Sequence, residues 1–181
     1  GRDDIRLVSI DQKQTLGALR NISLDAASGD VICQWDDDDL NHPQRLERQF
    51  EHLLAAQTQA CCFTDQLQFF FAERLLCWSD WRAGDTLGLD QLIPGTLMCY
   101  SDQRFRYPET THGEDSVLLN QIAATGTIAP FQDAGFLNVY SYHGKNVFSE
   151  IHHRRIALLS NRSIEFLREH ESILRDALRQ Y

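Results

Sequence analysis

Four consecutive aspartates after a short apolar run are the feature that most constrains this chain. Residues 31–35 (Val-Ile-Cys-Gln-Trp) have the length and apolar character of a buried strand, and residues 36–39 are all Asp. Pro43 follows at a position suited to the first turn of a helix. The acids are therefore predicted to lie on a tight strand-to-helix loop. In open α/β sheets this edge, beyond the carboxyl ends of the strands, binds ligands.

The four adjacent carboxylates (residues 36–39, the acidic loop) need a positive partner. Crowding like charges on one loop is unfavourable unless a cation comes to meet them. A divalent cation is the favoured partner, because hard cations prefer carboxylate oxygens. The alternative is a solvated loop with helix-capping acids. Metal binding is preferred because the acids directly follow a buried strand.

Composition limits the class of protein. The chain has 181 residues, of which 43% are hydrophobic, so we expect one globular domain with a real core. It carries 17 Lys and Arg against 26 Asp and Glu, for a net charge of −9. A duplex nucleic-acid binder would need a basic face, so nucleic acid is not the expected partner. Direct binding to an anionic membrane is disfavoured for the same reason.

The cysteines and apolar runs bear on the compartment. The five cysteines lack the paired spacing of a zinc site and are interpreted as buried free thiols in a reducing compartment. No apolar run approaches the ~20 residues of a membrane span, and no signal peptide is visible. The predicted location is cytoplasmic, or the cytoplasmic face of the membrane through other parts of the full protein.

The hydrophobic periodicity predicts alternating strands and helices in the first half of the chain, as in a βαβ sheet. The first predicted elements are a strand over residues 5–10, a helix over 14–27, a strand over 31–35, a helix over 43–56 and a strand over 60–64. The later ones are a hairpin arm over 68–78, a loop over 82–92, a strand over 96–100, a helix over 114–124, a strand over 136–142 and helices over 149–160 and 163–180. The predicted fold class is α/β, a mixed sheet flanked by helices.

Two of the helices have a predicted buried face. In helix 14–27 this face carries Leu16, Leu19, Ser23 and Ala26. Helix 43–56 has an apolar stripe opposite a charged face that is predicted to be solvated. The stripe consists of Leu46, Phe50, Leu53 and Leu54, and the charged face of Arg45, Glu47, Arg48 and Glu51.

Two further polar groups fall at element boundaries. Glu114 and Asp115 open a helix, where acids complement the helix dipole. His143, in the segment Tyr-His-Gly-Lys-Asn, would by itself be a core or capping histidine more often than a metal ligand. Trp78 and Trp81 could stack on a sugar, but they are interpreted as core aromatics.

Together these segments resemble the family 2 glycosyltransferases, which have the nucleotide-sugar-binding GT-A fold. The order and spacing of the four segments make the resemblance specific. They are residues 17–30 before the acidic motif, the D-x-D-like residues 36–46, the Glu-Asp motif at 112–115 and the Tyr-x-x-His-type segment at 142–146. The resemblance covers residues 5–148, so we predict a partial GT-A-like domain at 1–148 and a helical extension at 149–181.

The resemblance implies a metal-dependent, inverting transfer of a sugar from a nucleotide-diphosphate donor to a saccharide or other hydroxyl acceptor, as in polysaccharide biosynthesis. The cofactor would be Mn²⁺ or Mg²⁺, with Asp38 as first ligand and Asp36 and His143 as further candidates. Asp115 would be the general base, oriented by Glu114. The residues assigned to the donor are Asp36, Asp37, Arg20 and Lys145, of which the two cations could equally be ordinary surface residues.

The resemblance also implies a missing part. Family members open with strands that hold the base and ribose, whereas this chain starts at what looks like the following strand, residues 5–10. The domain is therefore expected to be N-terminally truncated and inactive alone, with an exposed sheet edge at 5–10 through which copies could associate. A nucleotide-sugar hydrolase, and a non-catalytic binding or assembly module with this fold, remain alternatives.

Overall fold

The computed structural model describes residues 5–82, 88–158 and 164–179. Within these residues the fold is mixed α/β, as predicted, with two four-stranded sheets flanked by helices. The strands are β1 Val31–Cys33, β2 Leu40–Asn41, β3 Ala60–Phe63, β4 Asp65–Phe70, β5 Leu75–Asp80, β6 Met98–Tyr100, β7 Ile128–Phe131 and β8 Asn138–Tyr142. The helices are α1 Leu16–Ala26, α2 Arg45–Ala56, α3 Glu114–Thr125, α4 Glu150–Leu158, α5 Ile164–Glu169 and α6 Glu171–Leu178.

The two sheets are connected by segments of the chain that cross from one to the other. The first has the order β1-β6-β3-β7 and the second β2-β8-β4-β5. In each sheet one pair is parallel, β3 with β7 and β4 with β8. The chain passes from the first sheet to the second through Thr64, and again through the short 3₁₀ turn Gly135–Leu137. Both parallel pairs are therefore continued from one sheet into the other.

The core is centred on β3, whose four residues have no exposed surface. All five cysteines of the chain are free thiols, as predicted, but only Cys61, Cys62 and Cys99 are buried, whereas Cys33 and Cys77 are partly exposed. Burial raises the pKa of Cys61 to about 12, so this thiol stays protonated and packs as a small apolar side chain. Trp78 is also a core residue, as expected, and its indole nitrogen donates to the buried carboxylate of Asp65 at 2.7 Å.

Helix α1 packs through polar contacts and one close backbone approach. The predicted buried face is wrong, because Leu19 and Ser23 are exposed and Gly17 is the buried residue. The Gly17 amide donates to the carbonyl of Thr110 at 3.1 Å. The Asn21 side chain exchanges two hydrogen bonds with the backbone of Tyr107, at 2.8 and 2.9 Å. These contacts hold α1 against the segment that precedes α3.

Gly17→Ala is expected to destabilise the protein by about 1–3 kcal/mol, the usual cost of overpacking. A Cβ at Gly17 would lie 1.8 Å from the carbonyl oxygen of Pro108, so the backbone must move. In an open helix the same change would stabilise by about 1 kcal/mol. Ser23→Ala, on the exposed face of α1, is the control and should be nearly neutral. Urea unfolding measures both, and an unchanged midpoint for Gly17→Ala would contradict the close packing.

Helix α2 buries only Leu53 of the predicted stripe, and it also buries Arg45, which was predicted to be solvated. Arg45 and Gln49 are fully buried together with Leu53. The buried face is polar because its groups find partners: the Gln49 amide nitrogen donates to the carbonyl of Thr96 at 2.6 Å. The remaining members of the predicted stripe are 39–49% exposed, namely Leu46, Phe50 and Leu54.

Residues 5–10 do not form the predicted strand, and no other strand pairs with them in the described chain. Their apolar side chains, 37–88% exposed, are those of Ile5, Leu7, Val8 and Ile10. A β-prone sequence is not enough where no neighbouring strand accepts its hydrogen bonds. The proposed sheet edge at 5–10 is therefore wrong, while association of copies stays a prediction.

The remaining boundaries differ in smaller ways. Strand β7 was not predicted, and the expected single helix over 163–180 is two helices, α5 and α6. Residues 83–87 of the predicted loop lie outside the described residues, as do the helix ends at 159–163 and 180–181. No helix among the described residues is both long enough and apolar enough to span a membrane.

Helix α4 is joined to the second sheet by a buried histidine. His153 has no exposed surface and stacks on Tyr140 with ring centroids 4.5 Å apart. The Gln68 amide nitrogen lies 3.2 Å from His153 Nδ1 and donates to the His153 carbonyl at 3.0 Å. Burial, with the neighbouring His152, lowers the pKa of His153 from its ordinary value of 6.5 to about 4. The imidazole is therefore neutral in the folded protein near pH 7.

We expect His153 to make folding acid-sensitive between about pH 6.5 and pH 4. In this window His153 is protonated in the unfolded chain but neutral in the folded protein. The free energy of unfolding therefore falls as pH falls, by up to ~1.4 kcal/mol per pH unit. His153→Phe keeps the ring packing and should flatten this slope. Urea unfolding at pH 7.5, 5.5 and 4.5 measures it, with His112→Gln at an exposed histidine as control. Equal slopes in the wild type and His153→Phe would contradict the assignment.

Candidate active site

A cavity of about 790 Å³ lies where the acidic loop, the start of α3, the loop after β8 and α4 meet. Part of its lining consists of carboxylates and another part is apolar. The polar side includes Arg20, Asp36, Asp37, Asp38, Asp39, Glu114 and Asp115, and the apolar side includes Trp81, Leu89, Ile93, Val147, Phe148 and Ile156. The topology thus brings the acidic loop and the Glu114–Asp115 pair to one cavity.

The acidic loop is held at both ends by Arg45. Its guanidinium donates to the carbonyl of Gln34 at 3.2 Å and to the side chain of Asn41. It also lies over the rings of Trp35 and Phe63, at 5.0 and 5.6 Å from their centroids. Arg45 is 1% exposed, so these contacts replace the water that the cation loses.

Two of the four aspartates are directed into the protein. Asp39 accepts a hydrogen bond from the Ser141 amide at 2.9 Å, which ties the loop to β8. Burial raises the pKa of Asp39 to about 7, and the charges of Asp36 and Asp38 act in the same direction. Burial also raises the pKa of Asp36, against the lowering effect of Arg20. Asp37, by contrast, is exposed.

Asp38 is the aspartate that the loop after β8 orients. Its Oδ2 accepts from the Asn146 amide nitrogen at 3.0 Å and lies 3.3 Å from His143 Nε2. Asn146 also donates to the Ser141 carbonyl at 2.8 Å, and Gly144 turns the loop with a φ of +81°. The Asp38 side chain remains 42% exposed. Its second oxygen, Oδ1, has no hydrogen-bond partner in residues 5–82, 88–158 and 164–179.

The Glu114–Asp115 pair begins α3 after a left-handed residue. Gly113 has a φ of +71° with open space around a would-be Cβ, so conformation rather than crowding favours glycine there. Glu114 is 2% exposed, whereas Asp115 is half-buried and lines the cavity. Asp115 Oδ1 accepts from the Ser116 amide at 2.7 Å. The pair thus separates into an inner and an outer carboxylate.

Arg20 joins the two carboxylate groups. Its Nη2 lies 2.9 Å from Asp36 Oδ1 and its Nε lies 3.2 Å from Glu114 Oε1. The guanidinium carbon is 5.5 Å from the centroid of the Tyr107 ring. The Tyr107 hydroxyl in turn donates to Gln34 Oε1 at 3.0 Å. One cation therefore contacts both sides of the cavity.

The sequence family is decided by a match over most of the chain. The model of glycosyl transferase family 2 matches residues 1–113 of the 181. The chain belongs to glycosyl transferase family 2. No curated protein matches this family 2 chain in sequence.

Solved structures with the same fold include three of S. aureus TarS residues 1–349. The match to the first TarS structure, for which no ligand is named, has a TM-score of 0.53 at 16% identity, over 90% of this family 2 chain and 53% of TarS. The match to the TarS complex with UDP-GlcNAc has a TM-score of 0.58 at 14% identity, over 94% of this chain and 57% of TarS. The match to the complex with UDP has a TM-score of 0.52 at 15% identity, over 87% of this chain and 52% of TarS. The fold is thus the GT-A fold, as predicted. The chain spans about half the length of the TarS chains that it matches.

The structure brings most of the predicted site residues of this family 2 chain together. Arg20, the four aspartates and the Glu114–Asp115 pair all line the cavity. His143 contacts Asp38 from the loop after β8. Lys145 is exposed, and its backbone amide donates to His143 Nδ1 at 3.3 Å.

A divalent cation at this site would need ligands besides the carboxylates of the described residues. In the described part of the chain, no group of three or more His, Cys, Asp or Glu could hold a metal alone. Asp38 fits as a protein ligand, because it is oriented, part-exposed and has a free oxygen. His143 Nδ1 accepts from the backbone, which leaves the proton of a neutral ring on Nε2, facing Asp38. In this arrangement His143 orients Asp38 and has no free lone pair for a metal ion.

Sequence reasoning missed two residues that build the site of this family 2 chain. Asn146 binds Asp38, and Tyr107 supports Arg20. Asn146 lies in the segment 142–146 that carries the resemblance, but an amide gives no charge signal. Tyr107 lies in an irregular stretch, where no periodicity indicates which side chain faces inward.

Proposed function

We propose that this chain is the part of a glycosyltransferase that holds the donor diphosphate and supplies the catalytic base. The single observation that carries the proposal is the cavity itself, where the acidic loop and the Glu114–Asp115 pair face one space in a family 2 chain. The donor would be a nucleotide-diphosphate sugar. A uridine donor is the first to test, since TarS binds UDP-GlcNAc and UDP.

In the proposed reaction, the Asp115 carboxylate takes the proton of an acceptor hydroxyl as its oxygen attacks the anomeric carbon. The bond from that carbon to the diphosphate oxygen breaks, and the nucleotide diphosphate leaves with the electron pair. Attack opposite the leaving group inverts the anomeric configuration. Asp115 suits this role because it lines the cavity and is more accessible than Glu114, which is buried against Arg20.

A divalent cation would be held by Asp38, with Asp36 near by and His143 and Asn146 orienting the Asp38 carboxylate. When bound, Mn²⁺ or Mg²⁺ would neutralise the charge that develops on the diphosphate. Asp39 would fix the loop to β8. Arg45 would hold the loop ends without contact to the substrate.

The experiment is product analysis with the full-length protein, UDP-sugars, Mn²⁺ and a panel of saccharide acceptors. Mass spectrometry should detect an acceptor heavier by one sugar and equimolar UDP. Release of free sugar at the same rate with and without acceptor would instead indicate a hydrolase. Neither product, despite nucleotide binding, would support a non-catalytic binding module.

A further inference from the structure

We propose that Arg20 is a positioning residue for the transfer reaction, which couples the donor-side carboxylate Asp36 to the base-side carboxylate Glu114. This inference rests on the proposed function. It assigns Arg20 to the alignment of two protein segments, instead of to contact with the donor phosphates.

The contacts of Arg20 are already committed to the protein. Two of its three guanidinium nitrogens pair with Asp36 and Glu114, at 2.9 and 3.2 Å. The third, Nη1, is buried and has no hydrogen-bond partner among the described residues. The side chain is 15% exposed, and the Tyr107 ring lies beside it. Because Nη1 is shielded from solvent, a donor phosphate in the cavity would meet the nitrogens that Asp36 and Glu114 already occupy.

The two partners of Arg20 belong to different parts of the site. Asp36 opens the acidic loop, and Glu114 precedes the proposed base, Asp115, in the first turn of α3. The Glu114 side chain is 3% exposed, and Arg20 is the cation that compensates its buried carboxylate. The planar guanidinium presents its N–H groups to the two carboxylates in a fixed geometry, whereas the donors of an ammonium rotate freely. A change in Arg20 therefore shifts Asp115 relative to the acidic loop.

The test compares Arg20→Gln, Arg20→Lys and Glu114→Gln in the full-length protein. Arg20→Gln should lower kcat by about ten- to a hundredfold, with donor KM changed less than threefold, and Arg20→Lys should fall between. The double variant Arg20→Gln with Glu114→Gln should be no slower than the worse single variant, within threefold, because both act through one contact. Circular dichroism and thermal melting confirm folding, and Arg20→Lys keeps the test valid should Arg20→Gln unfold.

Arg106→Gln is the matched control. Arg106, in the segment before α3, pairs with Asp25 of α1 at 2.8 Å at the exposed surface and does not line the cavity. It should leave kcat unchanged. A raised donor KM with normal kcat in Arg20→Gln would make Arg20 a donor ligand and overturn the proposal, as would multiplicative losses in the double variant. Absence of transfer by the wild type would contradict the proposed function, which separates the two failures.

Discussion

Asp115→Asn is expected to lower kcat by about 10²–10⁴-fold, the usual contribution of a positioned general base. The amide cannot accept the acceptor proton, but it keeps the size of the carboxylate and can still accept from the Ser116 amide. Donor affinity should therefore barely change, because the acidic loop is untouched. Initial rates at saturating donor, together with calorimetric titration of UDP and Mn²⁺, measure the two quantities separately.

The control for Asp115→Asn is Asp25→Asn, the same chemical change at an exposed ion pair on α1. It should retain wild-type kcat. Glu114→Gln provides the decisive comparison within the pair. If turnover survives in Asp115→Asn and collapses in Glu114→Gln, the inner carboxylate is the base and the proposed roles are reversed.

Asp38→Asn is expected to remove the Mn²⁺-dependent part of nucleotide binding, lowering the affinity for UDP in Mn²⁺ at least about tenfold. A hard cation loses an anionic oxygen ligand, and each tenfold loss corresponds to about 1.4 kcal/mol. The fold should be unaffected, since the Asn oxygen can still accept from Asn146. Calorimetry of UDP binding to the full-length protein, with and without Mn²⁺, gives the metal-dependent difference.

Asp30→Asn, at an exposed carboxylate just before β1, is the matched control for Asp38→Asn and should bind UDP and Mn²⁺ normally. His143→Gln is informative beside it. A neutral amide can still donate to Asp38, so a modest loss is expected if His143 only orients that carboxylate. Unchanged metal-dependent affinity in Asp38→Asn would rule out Asp38 as the ligand.

The sequence predicted the elements in which the hydrophobic spacing and the residues at the element ends indicate the same structure. Helix α3 has apolar positions at helical spacing and two acids in its first turn, and it was predicted within one residue. The acidic loop follows a strand, as expected. Strand β7 was missed because it has four residues and contains Pro130, which lacks an amide proton. The edge position of β7 in its sheet tolerates that proline.

Errors arose where tertiary contacts overrule the pattern. On α2 the apolar stripe suggested burial of Leu46 and Phe50, but Arg45 and Gln49 occupy the interior because partners from other elements satisfy them. The composition of the site could be predicted from short motifs and family resemblance. The contacts between the site residues could not be predicted, since the ion pair between Arg20 and Glu114, for example, joins segments far apart in the chain.

The contacts of Arg45 with both ends of the acidic loop have a consequence for the proposed reaction. The buried Arg45 side chain donates to the Gln34 carbonyl before the loop and to the Asn41 side chain after it. A guanidinium keeps its charge across the whole pH range of folded proteins. The spacing of the loop ends is therefore set by α2 and not by the occupant of the cavity. In the proposed reaction the loop ends would keep their spacing when the nucleotide leaves, so the acidic loop would be ready for the next donor.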